Sequence, residues 1–219
     1  MTGVLERQLA ECLAPGMHVP DALRQLYAWI EERGFFRDHD GVRTGFLCDP
    51  GAIEEDDDSR TGGTRIELRA ERGATMSRWF GEGQRAVAAA QRICVVAQTG
   101  GEGSRAALWL DDAGRQRIVH LGSGSGSLMT CVLADDPVDF LRLLAIGYDE
   151  ICWDKQYAAP PNADESELFI HPNEPLRAWV RTTFGVTIPR RGLDIVPTPS
   201  GMDDAASPDP FWNWVAAQR

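Results

Sequence analysis

Four histidines are the first residues to test for chemistry, because imidazole serves both as a metal ligand and as a general base. They are His18, His39, His120 and His171. They are scattered along the chain, and none lies near another histidine or a cysteine at the spacing that metal sites use. The sequence therefore predicts no metal site. His120 lies between Val119 and Leu121 in an apolar run, which favours a hydrogen-bonded structural role over that of a general base.

Alternating glycine and serine at residues 122–126 could belong to a catalytic or phosphate-binding motif. A nucleophile elbow needs serine at the centre of Gly-x-Ser-x-Gly, but the central residue is Gly124. A phosphate-binding loop needs a following lysine and a helix, whereas Ser127 and a predicted strand follow. We expect this run, like the glycine-rich residues 100–103, to be a flexible connection.

Adjacent carboxylates occur at positions 111–112, 135–136 and 149–150, and each pair lies at the predicted end of a helix or strand. Turns and helix N-termini use acidic residues in that way, so the pairs alone do not indicate acid–base chemistry. Glycoside hydrolysis requires two carboxylates that converge from separate elements around a cleft, which spacing along a chain does not reveal. We assign no catalytic residue and expect no cofactor. A hydrolase whose carboxylates meet only in three dimensions stays open as an alternative.

The chain of 219 residues carries 22 Lys and Arg against 33 Asp and Glu, which gives a net charge of -11. A negative field opposes binding to nucleic acid or to anionic lipid and attracts a basic partner, although acidity also serves solubility alone. We predict a mobile acidic loop at about residues 49–63 and expect its central carboxylates to contact a protein partner. These carboxylates belong to Glu54, Glu55, Asp56, Asp57 and Asp58.

Seven tryptophans could either fill the core or form an aromatic binding surface. Three of them lie on apolar faces and are predicted to be core residues: Trp29, Trp109 and Trp179. Trp79, which precedes Phe80, lies in glycine-flanked irregular chain and is the best candidate for an exposed anchor. Trp212 and Trp214 lie in an aromatic-rich terminal segment. We expect Trp79, Phe80, Trp212 and Trp214 to be the anchors for a protein partner.

The sequence has no basic, apolar leader and no apolar run of the ~20 residues needed to cross a bilayer, which predicts a cytoplasmic protein. Five cysteines stand at wide spacings with no Cys-x-x-Cys pair among them. An odd number at such spacings argues against a disulfide framework or a zinc ribbon. We therefore expect reduced, mostly buried thiols.

Short apolar runs predict a meander of strands in the middle of the chain. Residues 66–70 alternate apolar with charged side chains, which is the period of a half-buried strand. Further runs follow at residues 93–96, 106–110, 117–121 and 128–133. The turn at residues 111–114, with glycine where a positive φ is needed, joins the middle two of these runs into a hairpin.

Helices are predicted on both sides of this meander. Two short ones precede it, one with an apolar face of Leu5, Leu9 and Leu13, and one that begins at Pro20 and ends at Gly34. The most regular helix follows the strands at residues 136–147. Asp136 can cap it, Asp139 can complete a capping box and Gly147 can end it. Because this helix is apolar nearly all round, we expect it to be the central core helix.

The end of the chain is less regular. A helix is predicted at residues 174–184, with Asn173 as its cap and Gly185 as its end. Prolines then punctuate residues 186–219, which we expect mostly to wrap the surface. The succession of helices, strands and helices is the α+β pattern, and we expect a single domain over residues 1–219.

The strands at 93–98, 106–110 and 117–122, the Gly/Ser link, a further strand and then the helix ADDPVDFLRLLAIGY at residues 134–148 together resemble the SUKH superfamily, the Smi/Knr-type proteins. The resemblance implies an α+β fold with a central, mainly antiparallel sheet flanked by N-terminal and C-terminal helices. It implies no catalytic residues. Bacterial members resemble immunity proteins that neutralise a toxin, and the fungal relative regulates cell-wall assembly through protein contacts.

On this resemblance we expect a non-enzymatic, immunity-type protein that binds and neutralises a cognate bacterial toxin in the cytosol. Toxins of this kind often act on nucleic acid and are therefore basic, so a net charge of -11 would speed and orient their capture. We expect a monomer or a weak dimer. The alternatives are an adaptor or regulatory module of the same fold that binds a host protein, and the carboxylate-dependent hydrolase.

Overall fold

The computed structural model describes residues 2–51, 59–163 and 168–218, with the backbone alone at Arg78. In these residues the α-helices are α1 (Val4–Cys12), α2 (Asp21–Arg33), α3 (Gln84–Ala90), α4 (Pro137–Ile146), α5 (Glu174–Phe184) and α6 (Pro210–Ala216). The strands are β1 (Phe36–His39), β2 (Val42–Phe46), β3 (Ser59–Thr61), β4 (Glu67–Arg72), β5 (Ile93–Gln98), β6 (Arg105–Leu110), β7 (Gln116–Leu121), β8 (Thr130–Ala134) and β9 (Phe169–His171). Short 3-10 helices occupy Gly73–Phe80, Asp154–Ala158 and Gly192–Asp194.

Seven strands form one antiparallel sheet in the order β1-β2-β4-β5-β6-β7-β8. The expected α+β class with a central, mainly antiparallel sheet is therefore confirmed. β3 and β9 form a separate two-stranded parallel sheet. The prediction of a loop over residues 49–63 was wrong at residues 59–61, because these residues pair with a strand more than a hundred positions away. Residues 54–58 lie outside the described residues.

Both faces of the large sheet are buried, and the alternation of side chains along each strand serves two cores. On β5, Cys94 and Val96 belong to the core that packs with α1, α2, α4 and α5. Ile93 and Val95 point to the opposite core, which packs with α3 and α6. The second core is rich in aromatic rings, and Trp109 on β6 is 2% exposed within it. Helices on both faces explain why these strands read as continuous apolar runs.

The central helix α4 packs against β7, β8, α2 and α5, as its nearly uniform apolar surface predicted. The Asp136 carboxylate accepts a hydrogen bond from the Val138 amide at 2.9 Å, and Gly147 ends the helix with φ at 104°. The expected capping box does not form. Asp139 instead pairs with Arg142 at 2.6 Å, because one helical turn brings these two side chains together.

The segment 186–219, expected mostly to wrap the surface, includes one helix that the sequence did not indicate, α6, which packs on the sheet. The Asp209 carboxylate caps α6 by accepting from the Trp212 amide at 2.8 Å, and its other oxygen accepts from the Val132 amide of β8 at 2.9 Å. Phe211 and Val215 are buried against the sheet. In that part of the chain which the structure describes, no helix has both the length and the apolar character needed to cross a lipid bilayer.

Candidate protein-binding surface

Two of the four aromatic residues predicted as exposed anchors are interior residues. Phe80 is 1% exposed and Trp214 is 9% exposed, and their rings meet edge to face with centroids 5.6 Å apart. This corrects the expectation for both residues. The physical reason is α6, because it closes the second face of the sheet and turns the terminal aromatic residues into core.

Trp79 and Trp212 are half-buried, and both use their indole N–H groups within the fold. The indole of Trp79 donates to the Gly122 carbonyl at 2.8 Å, and that of Trp212 donates to the Gly201 carbonyl at 2.7 Å. Each side chain thereby fixes a loop to the body of the protein.

The small sheet β3–β9 carries the aromatic residue that the sequence analysis missed. Phe169 is 49% exposed, and its ring packs edge to face on His171 with centroids 4.9 Å apart. An exposed aromatic ring held by a neighbour is the usual form of an interface anchor, because little conformational entropy remains to be lost on binding. The run Leu168-Phe169-Ile170 after a polar stretch was the signal available in the sequence.

The acidic residues expected to contact a partner adjoin this small sheet along the chain. β3 begins directly after residues 54–58, and β9 begins two residues after Glu167, the last acidic residue of the stretch Asp164-Glu165-Ser166-Glu167. Ser59 and Phe169 are register partners of parallel strands, so β3 and β9 begin at the same end of the small sheet. Both acidic stretches therefore join the described structure at that end.

A cavity of about 580 Å³ lies beside the small sheet, between β3, the end of α4 and the 3-10 helix Asp154–Ala158. We call it the Asp149 cavity. Its polar lining includes Arg60, Tyr148, Asp149, Glu150, Lys155 and Gln156. Leu168 and Ile170, on either side of Phe169 in sequence, also line it. Phe169 itself does not line the cavity, because alternation along β9 turns its ring to the opposite face of the small sheet, where it packs on His171.

Asp149 is the most perturbed carboxyl of the cavity. Burial raises the pKa of this carboxyl above its ordinary value of 3.8, and the Arg60 guanidinium opposes that rise. One carboxylate oxygen, Oδ2, accepts from Arg60 at 3.0 Å. The other oxygen, Oδ1, is buried and has no hydrogen-bond partner among the described residues. The side-chain amide oxygen of Gln156 is also buried and has no hydrogen-bond partner among the described residues. Both oxygens are shielded from solvent, so neither faces the open cavity.

Glu150 is held by the loops around it. One oxygen accepts from the Gly101 amide at 2.9 Å, and the other accepts from the Trp153 indole at 2.7 Å and from the Cys152 thiol at 3.4 Å. Burial raises the pKa of that thiol, and the Glu150 carboxylate adds to the rise. A hydrolase needs two carboxyls free to exchange protons with a substrate. In this cavity the pKa of Asp149 is raised, whereas the Glu150 carboxylate is engaged in hydrogen bonds with the surrounding loops.

Backbone contacts at the end of α4 fix the position of the cavity. The Gly63 amide donates to the Tyr148 carbonyl at 2.7 Å, and the Tyr148 hydroxyl donates to the Ala159 carbonyl at 2.6 Å. Asn173, the cap of α5, donates from its side-chain amide to the Gly62 carbonyl at 3.2 Å. The small sheet, α4, α5 and the segment after α4 are therefore joined around the cavity.

A second cavity of about 660 Å³ lies where α3 and α6 meet the hairpin of β6 and β7. Its charged side chains already have partners in one another. Arg115 pairs with Asp111 at 2.9 Å, and Arg92 pairs with Asp112 and lies over the Trp214 ring at 5.4 Å. Trp109 also lines this groove, and its buried indole N–H has no hydrogen-bond partner among the described residues.

His120 is a buried residue with both ring nitrogens in hydrogen bonds, in agreement with the structural role expected for it. One nitrogen lies 2.9 Å from the Thr99 hydroxyl and the other lies 2.8 Å from the Met129 carbonyl. Burial lowers its pKa to about 4. The five cysteines are free thiols, three of them buried. Among the described residues no three His, Cys, Asp or Glu side chains cluster as metal ligands would.

Comparison of the chain with models of protein families, with curated proteins and with solved structures gives no match.

Proposed function

We propose that this protein is a cytoplasmic, immunity-type binding protein that captures and neutralises a basic bacterial toxin through the surface formed by β3, β9 and the Asp149 cavity. The observation that carries the proposal is Phe169, an aromatic ring that is 49% exposed and held by His171 on the small sheet whose opposite face borders the Asp149 cavity. A few aromatic anchors supply most of the binding energy of a protein interface. The resemblance of the sequence to the SUKH superfamily supports a toxin as the partner.

Charge supports a basic partner. The net charge of -11 creates a negative field, and two acidic stretches of the sequence join the same end of the small sheet. Such a field increases the rate of encounter with a positively charged protein and orients it. Exposed ion pairs contribute only ~1 kcal/mol or less each, so tight binding depends on the ring and the cavity.

Replacement of the exposed ring tests this assignment. The protein is co-expressed with the product of the neighbouring gene, and complex formation and protection of cells are measured. We expect a stoichiometric complex for the unchanged protein and, for Phe169→Ala, affinity weaker by about tenfold or more, as for loss of an interface anchor. Because Phe169 is already half exposed, thermal stability should change little.

Val87→Ala is the matched control. Val87 on α3 is 52% exposed but lies on the opposite side of the fold from the Asp149 cavity lining, among residues 77–87 that border a separate surface depression. We expect it to bind as the unchanged protein does. Equal affinities for Phe169→Ala and the unchanged protein would show that the interface lies elsewhere on the protein. If the unchanged protein neither binds the product of the neighbouring gene nor protects cells, a toxin is not its partner.

The adaptor alternative uses the same surface with a host protein as partner, and the identity of the captured protein separates the two. The hydrolase alternative has one supporting observation, the raised pKa of Asp149 in a cavity. Hydrolysis would require turnover of a small substrate that Asp149→Asn abolishes.

A further inference from the structure

We propose that residues 197–218 form a detachable strap, and that two copies of the chain dimerise by exchanging their straps. Val196, just before the strap, is buried in the core that packs with α1, α2, α4 and α5, whereas Phe211 of α6 is buried in the second core. The strap therefore passes from one face of the large sheet to the other around the β8 edge. In the dimer each strap makes on the other copy the contacts that it makes here on its own.

The strap covers the outer edge of β8, the last strand of the large sheet. The Thr130 amide donates to the Ser200 carbonyl at 2.6 Å. The Val132 amide donates to the Asp209 carboxylate at 2.9 Å. Both amides face away from β7, so they lose these partners when the strap leaves. The sequence of β8, TCVLA, contains no charged residue, and an uncovered edge of this kind pairs with another chain.

The opposite edge of the sheet is protected in a different way. β1 has the sequence FRDH, and three of its four residues are exposed. Charged side chains on an edge strand discourage pairing with another chain. Because β8 has no such side chains, its protection depends on the strap alone. Release of the strap exposes this edge together with the aromatic side chains of the second core.

Helix α6 does not fill its place on the second core. A groove of about 660 Å³ lies between α6, α3 and the β6–β7 hairpin. Trp109 lines this groove, and its buried indole N–H has no hydrogen-bond partner among the described residues. A helix of seven residues is also too short to be stable by itself. Elements with these properties open before the rest of a protein unfolds, which favours opening of the strap as a unit.

The hinge for the exchange lies at the start of the strap, where Pro197 and Pro199 flank Thr198. The Ser200 amide donates to the Thr198 carbonyl at 2.9 Å, which closes a γ-turn centred on Pro199. This turn directs the chain along the edge of β8. Proline keeps φ at about -65° in a turn and in an extended segment alike, so the turn opens without strain at Pro199.

The occupant that fits the open edge is the strap of a second copy. Direct pairing of two β8 edges would leave the second core of both copies uncovered. A strap supplies the acceptors for the Thr130 and Val132 amides and also the rings of Phe211 and Trp214 that fill the second core. Exchange of identical segments restores every contact except those of the hinge, which makes it a low-cost route to a dimer.

The test uses the full-length protein with no partner present. Equal amounts of isotope-labelled and unlabelled protein are mixed and incubated at about 1 mM, and native mass spectrometry follows the formation of mixed dimers. We expect these dimers to form slowly, because each strap must open before it is exchanged. In the mixed dimer, isotope-filtered NOEs should connect the Trp214 ring of one copy with the Trp109 ring of the other, a pair whose ring centroids lie 5.4 Å apart in this structure.

Two matched variants separate opening of the strap from a general loss of stability. Asp209 and Asp136 each cap a helix that begins with proline, α6 and α4 respectively, but Asp209 also holds the edge of β8. Asp209→Ala should speed the formation of mixed dimers about tenfold. The final ratio of dimer to monomer should change little, because both forms lose the same contact. Asp136→Ala should leave the rate nearly unchanged, and thermal melts identify any loss of folding.

The proposal is overturned if the unchanged protein and Asp209→Ala both stay monomeric at about 1 mM. A dimer in which the Trp214 ring contacts only the Trp109 ring of its own copy would overturn it too, because such a dimer forms without exchange. Equal rates for Asp209→Ala and Asp136→Ala would show that the strap does not open as a unit. None of these outcomes bears on the proposed function, which depends on Phe169 of the small sheet.

Discussion

At the scale of single residues, burial sets the protonation state of the polar groups inside this protein. His120 has no exposed surface, and its ring lies between the Thr99 hydroxyl and the Met129 carbonyl. A carbonyl only accepts, so the ring nitrogen beside Met129 carries the proton and the other nitrogen accepts from Thr99. Both nitrogens are satisfied by the neutral ring. Protonation would place a charge in the interior without hydration, although the Thr99 hydroxyl could then accept a hydrogen bond from the ring.

We predict that the free energy of unfolding falls as the pH is lowered from about 6.5 to about 4. The folded imidazole has a pKa of about 4, whereas the unfolded one takes a proton near its ordinary value of 6.5. In that interval the unfolded state binds more protons, which costs the folded state about 3 kcal/mol in all. Urea unfolding at a series of pH values measures the loss.

The variant His120→Gln isolates this contribution. Buried carboxyls with raised pKa values, such as Asp149 and Asp209, make stability rise as the pH falls and so partly offset the effect of the histidine. Both proteins contain these carboxyls, so their contribution cancels when the unfolding free energies of the two proteins are subtracted. Glutamine should lower stability at neutral pH and flatten the profile between pH 6.5 and 4. Parallel profiles for the two proteins would show that His120 is not the titrating group.

At the scale of elements, the surface proposed for binding depends on how the small sheet is attached to α4. Gly62, just after β3, packs directly on Gly147, at the end of α4. A β-carbon at Gly62 would lie 2.5 Å from the carbonyl oxygen of Gly147, and backbone on both sides has little room to move. The contact holds β3 and β9 against the end of the core helix.

Gly62→Ala should therefore destabilise the protein by about 3 kcal/mol, the cost of inserting a methyl group into a packed interior. Gly114→Ala is the matched control. Gly114 lies in the β6–β7 turn with φ at 76° and open space around it, so alanine there costs only strain of about 1 kcal/mol. Urea unfolding measures both losses of unfolding free energy, and equal losses for Gly62→Ala and Gly114→Ala would contradict a close contact between Gly62 and Gly147.

The sequence indicated the elements whose own residues specify them. Helices α4 and α5 carry side-chain caps, all of α2, α4 and α5 end at glycines, and the β6–β7 hairpin has its turn residues, so local chemistry was sufficient. It did not indicate β1, β2, α3 and α6. Charged residues dominate β1 at the sheet edge, α3 is rich in alanine and α6 is hidden among prolines. These elements depend on tertiary contacts that no local pattern records.

The candidate surface was the least predictable part for the same reason. Ser59 and Phe169 become neighbours through parallel pairing between distant segments, and no short-range signal announces such pairing. The unsatisfied oxygens of Asp149 and Gln156 depend on what the fold leaves around them. The sequence did indicate that the binding surface would combine acidic residues with aromatic anchors, but it selected aromatic residues that α6 covers.

At the scale of the whole molecule, charge should govern the rate of capture more than its strength. Neutral substitutions of Glu54, Glu55, Asp56, Asp57 and Asp58 remove five negative charges from the sequence. We expect the association rate with a basic partner to fall about tenfold at low salt, with a smaller fall at physiological salt and little change in the dissociation rate. Stopped-flow mixing at two ionic strengths measures both rates.

A control protein with the same net charge separates local from overall electrostatics. It carries neutral substitutions at five exposed acidic residues elsewhere: Glu11, Glu32, Asp40, Glu82 and Asp203. This protein should lose less of the association rate if local charge matters, because none of its substitutions lies in the acidic stretches that adjoin the small sheet in sequence. An equal loss for the two proteins would show that net charge alone steers the partner.

The most direct test of the central claim is hydrogen exchange of the protein alone and in complex with the product of the neighbouring gene. The account predicts slower exchange in β3, β9 and the 3-10 helix Asp154–Ala158, with α3 and α6 unchanged, and a toxin that has lost its activity. Slower exchange confined to the face of α3 and α6, or a bound toxin that keeps its full activity, would contradict it.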